Sequence, residues 1–378
     1  MDNRNGSVKP PSYTCMRALS DMTDNGGVDL QSIVDEIAEV LGGAATIEDR
    51  AFRLVAYCAQ SGAIDRVREE SILRRRASDR VRAYFEGFGI ATATAPVRIP
   101  ADQRLGVLAR ICVPLRYRGV TYGYLWLLDS GAITDDRLAA AAPLVRRAAA
   151  ALAQEVRSRQ KAGAALRALF SVDPDVRAEA GLEVDVPAPV CAIAVRASPD
   201  AVASLWSLPR GVLADPGDPL TALLAPATQA RDVARKVQAM YGTAAGIGGP
   251  RDDIADAWQS WREALHALRV AEAVDRHGPV ASWPDLGVYR VLSRLPRTDL
   301  LELAAPALGL SGELARTVET YLDHGGHAGE TAEALGVHRQ TLYYRLGRAE
   351  HLTGLDLADG EQRLLLHLGL KAAPLVYH

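Results

Sequence analysis

Apolar and polar positions in the first third of the chain follow two different periods. From Asp29 to Leu41 the apolar residues recur at helical spacing, which predicts an amphipathic helix. Three later segments are apolar runs typical of strands, at 53–58, 109–115 and 120–128. The last two are joined by a turn that ends in Gly119, as in an antiparallel hairpin. This pattern indicates an α+β module over residues 27–133.

A long helical segment follows, from residue 134 to 170. Leu138, Val145 and Leu152 recur every seven residues, which is the spacing of a short coiled-coil seam between two copies of the chain. The alternative is a single helix that packs on its own domain. Pro143 lies inside the segment and is expected to kink it.

The next block, residues 171–295, alternates strand and helix patterns. Apolar strands are expected at 190–195, 220–224 and 243–248, and helices at 232–241 and 254–274. In the last helix Ala257, Trp261, Ala264 and Leu268 share the face expected to be buried. The final block, 296–378, reads as helical throughout. The fold class expected is therefore a multidomain α+β protein with an all-α C-terminal domain.

Two helices joined by three residues stand out near the C-terminus. The first runs over 327–335, and the second over Arg339 to Leu352. Gly336 begins the connection and supplies the positive φ that ends the first helix. Ala332 and Leu335 are expected to face Leu342 and Leu346, with Val337 wedged between the helices. This arrangement matches the helix-turn-helix.

The packing leaves the opposite side of the second helix free. Its N-terminal turns would reach base edges in the major groove, where Arg339 suits a guanine and Gln340 an adenine. Other side chains suit phosphates or thymine methyl groups. The candidate DNA-binding residues are His338, Arg339, Gln340, Thr341, Tyr343, Tyr344, Arg345 and Arg348. Three of them carry alternatives: core packing for Tyr344, an internal ion pair for Arg345 and a helix-start role for His338.

The chain resembles PucR/CdaR-type regulators in this region. The resemblance rests on 318–323, 338–346 and 352–357, with a helix end at Gly354 and a capping box of Asp359 and Gln362 beyond it. One departure is His327, where the family commonly has an Asn that caps a helix better.

The resemblance extends upstream. Residues 246–249, 260–264 and 285–292 look like that family's central domain, a degenerate relative of GGDEF nucleotide cyclases. The first block, with Asp49-Arg50 before its first strand, is similar to a GAF sensory domain. The resemblance implies a homodimer, or a higher homo-oligomer, that binds double-stranded DNA at an inverted repeat and responds to a small-molecule effector in the GAF-like domain. Five side chains on its strands are candidates for the effector pocket: Tyr57, Cys58, Cys112, Tyr124 and Trp126. The alternative for each, which we favour, is ordinary core or sheet surface.

Composition narrows the class of protein. A formal net charge of −3 over 378 residues excludes a globally basic DNA binder but allows one positive reading face. The four cysteines are dispersed and suit reduced thiols in the cytoplasm. His324 and His327 have no further metal ligands beside them, and we expect no metal, cofactor or membrane span. Residues 1–26 are polar and are expected to form a disordered leader.

Two other functions compete with DNA reading. A nucleotide cyclase needs a Gly-rich turn with metal-binding carboxylates. Here the corresponding turn carries Asp215 and Asp218 in ordinary turn chemistry, and 246–249 only resembles a phosphate loop, so we expect no enzyme. The second rival is a ligand- or protein-binding module whose helix-turn-helix serves assembly.

Overall fold

A computed structural model describes residues 29–58, 78–197, 205–209, 211–217 and 219–377 of the chain. Two five-stranded sheets and a C-terminal group of helices make up these residues, which confirms the multidomain α+β class. The leader expected over 1–26 and the turn residue Asp218 lie outside the described residues.

The first sheet is antiparallel throughout and has the strand order β2-β1-β5-β4-β3. Its elements are α1 (Leu30–Leu41), β1 (Ala45–Asp49), β2 (Leu54–Tyr57), α2 (Asp79–Glu86), β3 (Val97–Ile99), β4 (Arg110–Tyr117) and β5 (Val120–Leu128). The predicted helix and the three predicted strands are confirmed, with a hairpin turn at Gly119.

β1 corrects one expectation, because Asp49 ends the first strand and does not precede it. The strand lies between β2 and β5, so Thr46, Glu48 and Asp49 are buried together with the apolar residues. A central strand that carries polar residues gives no apolar run in the sequence, which is why the pattern missed it.

The long helix α3 (Asp135–Leu169) is continuous and contains Pro143. Leu152 is fully buried, and Leu138 and Val145 pack against the same core, formed with α1 and the first sheet. The seven-residue seam is thus occupied within its own domain. The structure thus favours the alternative, a helix that packs on its own domain, although Leu138 and Val145 are only partly buried.

The second sheet has the strand order β10-β9-β6-β8-β7, with only β9 and β10 parallel among its pairs. Its elements are α4 (Pro174–Glu183), β6 (Val190–Arg196), β7 (Leu213–Asp215), β8 (Leu220–Pro226), α5 (Ala230–Tyr241), β9 (Ala245–Ile247), α6 (Ala257–Ala273) and β10 (Val280–Ser282). The strands and helices expected here are confirmed. The segment expected to be only a turn contributes edge strand β7.

The glycines that resemble a phosphate loop serve helix packing. A methyl group on Gly246 would lie 2.1 Å from the Ala264 carbonyl oxygen, and one on Gly248 would lie 1.9 Å from that of Ser260. Ser260 Oγ donates to the Gly249 carbonyl at 2.7 Å and accepts the Ala192 amide at 2.9 Å. These positions lack side chains because α6 lies directly on the strand.

The C-terminal residues are helical, as expected. They form α7 (Tyr289–Leu292), α8 (Arg297–Leu308), α9 (Gly312–Asp323), α10 (Ala328–Leu335), α11 (Arg339–Thr353) and α12 (Gly360–Ala372), and a last 3₁₀ turn spans Ala373–Tyr377. One apolar cluster joins α9, α10, α11 and α12, and a second joins α8 and the chain end to α6. Helix α11 therefore packs on α9, α10 and α12.

Candidate nucleic-acid interface

Helices α10 and α11 form the predicted helix-turn-helix. Ala332, Leu342 and Leu346 are buried in one cluster, and Leu335 and Val337 pack against it. These are the contacts expected from the sequence. Because Leu342, Leu346 and Ala349 of α11 are buried on one side of the helix, the orientation of the opposite side is fixed.

The turn between the two helices follows standard end chemistry. Gly336 adopts the left-handed conformation at φ 64°, and its amide closes the end of α10. His338 is the N-cap of α11, where its Nδ1 accepts the Gln340 amide at 3.3 Å. The helix-start role considered for His338 is what the structure shows. His327 begins α10 without a side-chain cap, in line with its departure from Asn.

The outer side of α11 carries the candidate reading residues. His338, Arg339, Gln340, Thr341, Tyr343, Tyr344 and Arg348 are all exposed. Tyr343 is 60% exposed and Tyr344 69%, which excludes core packing for Tyr344. Two large aromatic side chains held in solvent beside two arginines give a surface suited to phosphates and base edges.

Arg345 is the exception among the candidates. Its guanidinium makes an ion pair with the Glu313 carboxylate on α9 and donates to Thr317 Oγ1 at 3.5 Å. The structure thus favours the internal ion pair over a phosphate contact. The free positive charge on the outer face comes from Arg339 and Arg348.

Arg339 lies beside the first turn of α10. A methyl group on Gly329 would come within 2.8 Å of a terminal nitrogen of the Arg339 guanidinium. Gly329 therefore leaves the space in which that guanidinium lies. Sequence reasoning missed Gly329, and its only signal was a glycine inside a helix, where Ala is more favourable.

The capping box beyond α11 is only half formed. Asp359 Oδ1 accepts the Gln362 amide at 2.9 Å, but Gln362 Oε1 accepts the amide of Asp356 and not that of Asp359. Gly354 ends α11 in the left-handed conformation, as expected. The start of α12 therefore has the side-chain cap from Asp359, but it lacks the return hydrogen bond from Gln362 that completes a capping box.

The five candidate effector residues do not converge on one site. Cys112, Tyr124 and Trp126 are buried in an aromatic cluster with Phe52 and Phe85. Cys58 packs against the opposite face of the sheet and Tyr57 is partly exposed.

Burial, with a smaller contribution from the Glu48 carboxylate, raises the pKa of the Cys112 thiol far above its ordinary value. Burial also raises the pKa of Cys191, to about 11. Both thiols are therefore protonated at neutral pH.

Among the described residues, no helix combines the length and the apolar character that a membrane crossing requires. The same residues bring no three His, Cys, Asp or Glu side chains close enough to hold a metal ion. The Nδ1 atom of His324 is hydrogen-bonded to the Thr320 carbonyl at 2.7 Å.

Comparison with known families matches two parts of the chain. Residues 314–372 match the PucR C-terminal helix-turn-helix domain, and residues 171–270 match the GGDEF-like domain. The first match contains most of α9 and all of α10 to α12, and thus the whole candidate interface. The second contains most of the second sheet.

Curated relatives match different shares of the chain. The proline-responsive transcriptional activator PutR of Bacillus subtilis is 30% identical over 33% of this chain and 33% of its own length. The transcriptional activator PmfR of Paenarthrobacter nicotinovorans is 33% identical over 46% of this chain and 36% of its own length. The match thus spans about a third of either relative. The DNA-binding transcriptional activator AdeR of Bacillus subtilis is 21% identical over 90% of this chain and 92% of its own length.

Proposed function

Because this chain belongs to the PucR/CdaR-type family, we propose that it is a transcription regulator that binds double-stranded DNA sequence-specifically through α11. One observation carries the proposal. Every candidate reading residue except Arg345 is exposed on α11, while Leu342, Leu346 and Ala349 hold the other side of the helix in the core. A helix held this way presents its N-terminal turns to the major groove.

Within that function, Arg339 and Gln340 read base edges, and Tyr343 and Arg348 contact phosphates or thymine methyl groups. The regulator acts in the cytoplasm as a homodimer that places two copies of α11 on an inverted repeat. The first α+β domain is the sensor, and its occupation by an effector shifts the spacing of the two reading helices. Its similarity to a GAF domain supports this assignment.

We assign no catalytic role to the middle domain. The Asp215 carboxylate, which a cyclase would need for a metal, is paired with Arg167. Gly246 and Gly248 are packed against α6, so their backbone is closed to a phosphate.

The test is binding of sheared genomic DNA to the purified full chain, followed by sequencing of the retained fragments. We expect a shared motif with inverted-repeat symmetry. The Arg339→Ala/Tyr343→Ala variant should lose it, since both side chains lie on the outer face. His351→Ala is the matched control, because His351 is exposed at the far end of the same helix.

Salt separates DNA reading from the rival function in assembly. Neutralising several phosphates makes the logarithm of the affinity fall linearly with the logarithm of salt concentration, with a slope of roughly −0.9 per contact. A helix-turn-helix used only for assembly would enrich no motif. It would also show no such slope, and that pair of results would refute the proposal.

A further inference from the structure

A cavity of about 810 Å³ lies where three parts of the molecule meet. Its walls come from the turn after β1, strand β5, helix α3 and the segment around β7. The volume is in the range of sites that hold small molecules, roughly 300–1,000 Å³. This cavity is distinct from the aromatic cluster around Trp126, which lies elsewhere in the first domain.

The carboxylates that line the cavity already have partners. Glu155 accepts Arg159 Nε at 2.7 Å, and Asp215 is paired with Arg167. Asp49 Oδ1 accepts the backbone amides of Ala51 at 2.8 Å and Arg53 at 3.0 Å. Five arginines and three carboxylates line the cavity, so its wall has an excess of positive charge.

Three arginines in the wall have no carboxylate partner among the described residues: Arg50, Arg53 and Arg157. The Nε atom of Arg53 is buried and has no hydrogen-bond acceptor. Arg157 lies over the Tyr117 ring, with 5.4 Å between its guanidinium carbon and the ring centroid. A guanidinium without a carboxylate partner binds an oxyanion through charge-assisted hydrogen bonds.

Part of the remaining wall is apolar and includes Val120, Val156, Leu208 and Val212. A simple inorganic ion would leave this surface without contact. We propose that the cavity binds a small organic anion, a carboxylate or a phosphate ester, whose charged group lies against Arg53 and Arg157 and whose carbon skeleton lies against the apolar wall. Arginine suits both anions because its planar group binds two oxygens at once.

Because the cavity lies between three parts of the molecule, a ligand bound there would affect how those parts are arranged. It would contact the sensor domain, the connecting helix and the middle domain together, so it favours the arrangement in which all three walls are in place. This second part rests on the proposed function, because its readout is the affinity for DNA. Binding of the anion itself does not depend on that function.

The experiment is titration calorimetry on the full chain at fixed pH and ionic strength. The probes are succinate, inorganic phosphate and glycerol phosphate, with uncharged succinamide as the ligand control. We expect saturable binding of at least one anion and none of succinamide. Tighter binding of succinate identifies a carboxylate site, and tighter binding of glycerol phosphate identifies a phosphate-ester site.

Variants locate the bound anion. Arg53→Gln and Arg157→Gln should each weaken it about tenfold, the loss of one charge-assisted contact. Arg157 is exposed, so its replacement tests the site even if Arg53→Gln folds poorly. Arg146→Gln is the matched control, an exposed arginine on the same helix outside the cavity, and should bind as the native chain does.

Two results would overturn the site: no saturable binding of any anion, or an equal loss in all three variants. Inorganic phosphate binding as tightly as either organic anion would also contradict it, since the apolar wall would then contribute nothing. If the anion binds but leaves DNA affinity unchanged, the regulatory part is wrong and the site stands. If the chain binds no DNA at all, calorimetry still decides the site.

Discussion

Lys371 on α12 donates to Asp323 on α9, with 2.8 Å between Nζ and Oδ2, although only 4% of the lysine side chain is exposed. The same ammonium donates to Glu319 at 2.6 Å. Asp323 also accepts from His367 at 2.9 Å, and Arg276 of the preceding domain lies 3.5 Å from it. A buried cation with two carboxylates thus ties the base of the helix-turn-helix together.

Replacing Lys371 by Met should destabilise the protein strongly. The change removes the ammonium that Glu319 and Asp323 share and leaves only Arg276 and His367 beside Asp323, at a cost of about 3 kcal/mol. Denaturant unfolding followed by circular dichroism measures the loss. Lys161→Met is the control, since that lysine is 75% exposed and 3.4 Å from Glu183, and it should cost less than about 1 kcal/mol. Equal losses of unfolding free energy in the two variants would show that the buried network stabilises the protein no more than a surface ion pair does.

The same network predicts how stability depends on pH. Burial alone would raise the pKa of Asp323, but hydrogen bonds from Lys371 and His367 hold it below its usual value. A depressed folded pKa contributes stability that is fully present above the unfolded value, about 3.9, and is lost as pH falls through the folded value. The difference in unfolding free energy between native chain and Asp323→Asn should therefore shrink below about pH 4. A difference constant from pH 7 to pH 3 would contradict this assignment.

Glu313 decides what Arg345 does. If the ion pair is its role, Arg345→Ala and Glu313→Ala should each lower stability modestly. The double variant should then cost less than their sum. DNA affinity should change little in either single variant. If Arg345→Ala weakens DNA binding at all sites while Glu313→Ala does not, the arginine contacts phosphate after all. Unfolding curves and DNA titrations on the three variants separate the two outcomes.

Gly329→Ala should change DNA recognition without harming the fold. The added methyl group displaces the Arg339 guanidinium, the flexible end of a side chain, while Ala is favoured over Gly in a helix by about 0.5–1 kcal/mol. We expect unchanged or higher stability and a changed base preference where Arg339 reads. Competitive binding to sites that vary at one position measures this. A loss of stability, or an identical preference, would show that Arg339 is placed independently of Gly329.

Patterns that depend on neighbours in sequence predicted the structure well. The reading helix, its positive-φ glycine and the contacts of Ala332 with Leu342 and Leu346 all follow from helical spacing and turn chemistry. Strand β5 and its hairpin with β4 could also be predicted, because apolar runs flank a turn that contains a glycine. These features depend only on residues close in sequence, so the periodicity of the apolar positions is sufficient to predict them.

What the sequence did not show depends on distant partners. Glu313 is 32 residues from Arg345, and the count of arginines on α11 overstated its positive charge because that partner was unknown. The cavity arginines Arg53 and Arg157 come from separate elements that only the fold brings together. The heptad on α3 was real, but a seven-residue period does not say whether the seam faces another copy or the helix's own sheet.

Helix α3 has 35 residues and is thus about 52 Å long. Its first half is part of the core under the first sheet, whereas Leu166 and Leu169 near its end belong to the core under the second. No loop separates the two cores along this helix, so the chain offers no clean place to cut between them. A fragment that begins inside α3 would expose the apolar side chains of the helix that normally pack in one of the two cores. A cut at Pro296 is no cleaner, because α8 and the chain end share an apolar core with α6.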